Sequence, residues 1–77
     1  MKPVDVLIHI RQRLDAGSRY VVDDSLRKMP GVIAPWFTPH KESLSLVIVY
    51  YNPKIVSATS VLARVRHLGF DASLIAI

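Results

Sequence analysis

The chain reads as an α+β domain, and three observations carry that reading. Runs of β-branched residues at period-two spacing alternate with two stretches whose apolar residues recur at helical spacing. Proline, glycine and asparagine stop signals fall between those stretches. The resulting order is β-α-β-β-α-β, and 77 residues are enough for one domain built this way, spanning 1–77.

Val4, Val6, Ile8 and Ile10 alternate with Asp5, Leu7, His9 and Arg11, which predicts a first strand. Gln12 to Gly17 breaks the alternation and reads as a loop. Ser18 is the candidate N-cap of a helix, because its hydroxyl can accept an orphan backbone N–H. Val22, Leu26 and Met29 then share one helical face. Asp23 and Asp24 precede Arg27 and Lys28, as the helix dipole favours, and Pro30-Gly31 ends the segment.

Val32 to Thr38 reads as a strand that Pro35 confines to a sheet edge, since proline offers no N–H to a ladder. His40 to Ser43 is a polar turn. Leu44 to Tyr51 is apolar on both faces and predicts a central strand, ended by Asn52-Pro53. Ser57 caps a second helix with Val61, Leu62, Val65 and Leu68 on one face, and Gly69 closes it in a left-handed conformation. Phe70, Ala72, Leu74 and Ala76 alternate as a last strand. This order predicts a ferredoxin-like βαββαβ sandwich: a four-stranded antiparallel sheet with both helices on one face, the first and third strands central.

Composition narrows the chemistry. Hydrophobic residues make up 51% of the chain, enough for a small core. There is no cysteine, so this chain supplies neither a disulfide nor a thiolate metal ligand. The net charge of +4 is a mild excess that a solvated surface accommodates without an acidic partner. No run approaches the roughly 18 apolar residues of a membrane span, and Asp5, His9 and Arg11 interrupt the N-terminal apolar run. The expectation is a soluble, cytoplasmic protein without membrane insertion.

Three marks, in order and at compatible spacing, resemble one family. Val22, Asp23, Leu26 and Met29-Pro30-Gly31-Val32 follow the pattern V-E-x-x-L-x-x-L-P-G-V. Tyr51-Asn52-Pro53 with Val56-Ser57 follows Y-D-P-x-x-V-S, and Leu68-Gly69-Phe70 follows the glycine-aromatic step into the last strand. From about Val4 to Ile75 the chain resembles the heavy-metal-associated domain of copper chaperones and metal-transporting P-type ATPases. That family carries M-x-C-x-x-C at the start of its first helix. Counting back from Gly31, the resemblance puts the methionine position on Arg13 and the two cysteine positions on Asp15 and Ser18. A soft monovalent copper ion needs thiolates, and a serine hydroxyl does not replace one. The resemblance therefore implies the family's frame with a degenerate metal loop. The segment between Gly31 and Asn52 is also a few residues longer than usual.

Three readings of the altered loop stand side by side. It can be a plain connection. It can bind an anion or nucleic acid through Arg11, Arg13 and Arg19 at a helix N-terminus, although Asp15 competes for the same donors. Or zinc or copper(II) can be held by His9, His40, His67 and Asp15, although no histidine pair has ligand spacing. No cofactor is expected through cysteines.

A fourth reading places function on the sheet. With Ile10, Val47 and Val49 facing the helices, the open face receives Leu7 and His9, Leu46, Ile48 and Tyr50, with Ile75 and Ile77 beside them. An apolar open face marks an interaction surface, for a protein partner or a second copy, and a membrane metal transporter is one partner the resemblance suggests. Trp36 and Phe37 are a further candidate contact, and could equally fold over the core. Nucleic-acid binding by a sheet of this order needs stacking aromatics on the central strands, and only Tyr50 is offered. No nucleophile with a paired base argues for an enzyme. The expectation is a protein-interaction or regulatory module connected with metal transport and homeostasis.

Overall fold

The computed structural model describes residues 2–38 and 45–75. The elements are β1 (Val4–Ile10), α1 (Ala16–Arg27), β2 (Val32–Phe37), β3 (Ser45–Tyr51), α2 (Ala58–His67) and β4 (Ala72–Leu74). His40, Leu44, Ala76 and Ile77 lie outside the described residues, and with them the polar turn, the first residue of the expected third strand and one residue of the expected open face.

The strands form one four-stranded sheet in the order β2-β3-β1-β4. Every pairing is antiparallel, with Leu7 opposite Ile48, His9 opposite Leu46, Trp36 opposite Ile48 and Ile8 opposite Leu74. This is the ferredoxin-like sandwich. β1 and β3 are central, and Pro35 lies on an edge strand, where its missing N–H breaks no ladder.

One layer of side chains between sheet and helices makes the core. Ile8 and Ile10 of β1, Val47 and Val49 of β3, Val22 and Leu26 of α1, and Val61 and Val65 of α2 are all fully buried. Removing apolar surface from water on this scale is the main force holding so short a chain. Leu14, in the connection before α1, is also buried, as is Met29, just beyond the end of α1. On the surface of α1, Arg27 pairs with Asp23 and Lys28 with Asp24, each one turn apart at 2.9 Å. The hydrogen bond and charge of Asp24 raise the Lys28 pKa, and such exposed pairs add little to stability.

The structure corrects four expectations. α1 begins at Ala16, capped by Asp15, so Ser18 lies inside the helix and is not its cap. The loop before it is accordingly shorter than Gln12 to Gly17. Phe37 faces the helices and packs against the core, because it alternates with Trp36 along β2. β4 begins at Ala72 and not at Phe70, since the Asp71 N–H is taken by Gln12 Oε1 at 2.9 Å.

Candidate functional site

The loop between β1 and α1 places Arg11, Gln12, Arg13, Leu14 and Asp15 together at the end of the sheet where β4 begins. Each polar group with a described partner is turned toward this protein's own backbone or side chains. Asp15 Oδ1 accepts the Ser18 N–H at 2.7 Å. That backbone hydrogen bond, together with a contact to the Ser18 side chain and the positive charge of Arg19, lowers the Asp15 pKa. Arg11 Nη1 meets Asp71 Oδ1 at 3.2 Å and its Nη2 meets Ser73 Oγ at 3.0 Å. Arg13 and Arg19 are exposed.

This geometry bears on both ligand readings of the loop. The helix N-terminus already has an acceptor in the Asp15 carboxylate, so the donors an anion would use are shared with a resident negative charge. A metal ion needs converging ligands. Among the described residues, no group of three or more His, Asp or Glu side chains is placed to hold one. His9 alternates with the buried Ile8 and Ile10 and so faces the open side of the sheet, whereas His67 ends α2 on the helical side. The residues described do not fit the family's soft-metal site, which requires thiolates.

The open face is the more continuous feature. Trp36 of β2, Ile48 of β3 and Leu7 of β1 form one cross-strand row, which the hydrogen bond from Ile75 N to Leu7 O at 3.0 Å carries on to Ile75 beyond β4. On one side of this row stand Ala34, Tyr50 and Asp5; on the other stand Thr38, Leu46, His9 and Ser73. Trp36 is 64% exposed, Tyr50 41% and Ile75 37%. Leu7, His9, Leu46 and Ile48 are half-buried among their neighbours. The residues proposed from sequence as an interface therefore share one surface, Phe37 excepted. Ile75 completes the row because the register that sets Leu74 opposite Ile8 places it beside Leu7.

No protein-family model matches the chain, and no curated protein is significantly similar in sequence. Solved structures are similar in fold. A copper-binding domain from HMA7, a P-type ATPase, superposes with a TM-score of 0.79 over 94% of this chain and 93% of its own, at 17% identity. The yeast copper transporter domain Ccc2a, solved in apo and Cu(I)-loaded states, gives 0.78 over 94% of each chain at 18% identity. Oxidized MerP from Ralstonia metallidurans CH34 gives 0.77 over 97% of this chain and all of its own, at 13% identity. At these identities the likeness is one of fold alone.

Proposed function

We propose that this chain is a non-catalytic interaction or regulatory module on a metal-trafficking frame, acting through its open sheet face and not through its first loop. The cross-strand row Trp36–Ile48–Leu7–Ile75 carries the reading. Antiparallel sheets with one wet face usually alternate to polar residues there. Here the outward positions of the two central strands include Leu7, Leu46, Ile48 and Tyr50. A contiguous exposed apolar patch is the common mark of a surface that meets another protein.

Two of the structural neighbours are domains of metal transporters, and this supports a connection with metal transport. A membrane transporter is then one natural partner. The internally bonded loop supports a role that does not depend on carrying the ion.

Photo-crosslinking in cells expressing the protein tests this. A photoreactive residue at Ile48 is expected to give a discrete crosslinked protein, and one at Arg13 in the first loop to give none. Crosslinking from Arg13 but not from Ile48 would return function to the loop and overturn the proposal.

A further inference from the structure

We infer that the occupant of the open face is a second copy of this chain, packed face to face about a two-fold axis that runs along the Trp36–Ile48–Leu7–Ile75 row. The inference rests on reading that face as the working surface.

The edges of the sheet direct association to the face. Thr38 N donates to Leu46 O at 3.1 Å, so on β2 the backbone groups of Thr38, Trp36 and Ala34 turn inward, and those of Phe37 and Pro35 turn outward. Proline removes one outward donor. At the other edge, Arg11 N donates to Asp71 O and Ile75 N to Leu7 O, which turns the carbonyl of Ala72 outward. That carbonyl is occupied by Arg66 Nε at 2.8 Å. Each edge thus lacks one outward group that strand addition would use, which makes the edges poorer templates.

Charge selects the occupant and its orientation. Along β1 the outward residues run Asp5, Leu7, His9. Rotation about the row reverses the strand direction of the second copy. Asp5 of one copy then meets His9 of the other, a carboxylate acceptor against an imidazole donor, and Tyr50 lies over Leu46. The same contacts repeat on the other side of the axis, as an isologous interface requires. Rotation about an axis running along β1 would instead lay Asp5 on Asp5, which like charges disfavour.

Size sets the strength. Strands of 7, 6, 7 and 3 residues, at about 3.4 Å per residue and about 4.8 Å apart, present roughly 370 Å² per copy. A standard stable interface takes about 800 Å² from each partner. The dimer is therefore of the weak, reversible class.

The test uses the full chain. Sedimentation across a concentration series is expected to show the mass rising toward twice that of the monomer. Emission from Trp36, the only tryptophan, should shift to the blue in parallel. Ile48→Lys should weaken association at least tenfold, and so should Trp36→Ala, at a position too exposed to endanger folding. Because the chain has no cysteine, Asp5→Cys mixed with His9→Cys reports orientation, and the mixed disulfide is expected to dominate. Dominance of the Asp5→Cys homodisulfide overturns the axis. A monomer at every concentration, with Ile48 still crosslinking to a different protein, overturns the second copy while the face keeps its role. A dimer unaffected by Ile48→Lys and Trp36→Ala overturns the inference, and the use of the face itself falls only if Ile48 then crosslinks to nothing.

Discussion

Asp15 Oδ1 accepts the backbone N–H of Ser18 at 2.7 Å. These are the two positions at which the resemblance would place a pair of thiolates, and in this chain they are bonded to each other. An N-cap acceptor three residues before its donor is sufficient to start α1. Local helix chemistry thus occupies the place where the resemblance would put metal ligands. The lowered pKa of Asp15 gives this bond a pH signature. A group whose folded-state pKa is depressed contributes stability above its unfolded pKa and loses it as pH falls through the folded value. Asp15→Ala should therefore lower the melting temperature at pH 7, and the gap to the unsubstituted protein should close as pH falls below about 4, the ordinary carboxylate range. Thermal melts by circular dichroism from pH 7 down to pH 2 check this, and a gap that widens on acidification contradicts the cap.

Replacing both partners tests how much of the frame survives. Asp15→Cys with Ser18→Cys supplies two thiols at the start of a helix, where the dipole favours thiolates. The double variant should gain stoichiometric binding of a soft ion such as copper(I), seen as sulfur-to-metal absorption in the ultraviolet, whereas the parent shows none. Either single variant should bind much more weakly. Failure of the correctly folded double variant would mean that the loop backbone, and not only its side chains, has departed from the metal-binding geometry.

Gly31 and Asn52 come from two separate sequence marks of the resemblance, and the structure joins them: Gly31 O accepts the Asn52 N–H at 2.8 Å. Gly31 has φ +93°, and a Cβ there would fall 2.8 Å from Val56 Cγ1 and 2.9 Å from Ile55 Cβ. Gly69, at φ +98°, has nothing within 4 Å of such a Cβ. Gly69→Ala carries only the left-handed backbone penalty, about 1–2 kcal/mol. Gly31→Ala adds a steric clash and should destabilise by more than that. Urea unfolding of the two variants gives the order directly, and equal losses would contradict the close approach at Gly31.

These marks explain what was legible in the sequence. Alternation of Val6, Ile8 and Ile10 fixed the facing of β1, and through it the open face, because a period of two leaves only one register with a buried side. Pro35 and Gly69 declared an edge strand and a helix end through covalent constraints that tertiary packing does not override. The start of α1 was less legible. Asp15 and Ser18 are both good caps, and Gly17, a poor helix former, made the later start look better. Phe37 and Trp36 were ambiguous for another reason. Adjacent aromatics on a strand must point to opposite faces, and only the register with β3 says which one points where. The Arg66 to Ala72 contact lies beyond sequence patterning altogether, since it depends on the backbone direction at the start of β4.

That contact yields a last expectation. Arg66 Nε donates to Ala72 O at 2.8 Å from a side chain at the surface. Ala72 is buried and its carbonyl is covered by the Arg66 guanidinium, so Arg66→Ala should cost about 1–3 kcal/mol of stability. The larger effect should be kinetic. With Ala72 O uncovered and a positive charge removed from beside it, the β4 edge becomes a template for another strand. Light scattering during incubation just below the melting temperature should show Arg66→Ala aggregating faster than Arg64→Ala, which removes a neighbouring charge of the same helix without uncovering the edge. Equal rates for the two variants would mean that charge alone protects the protein and that Arg66 does not guard the edge.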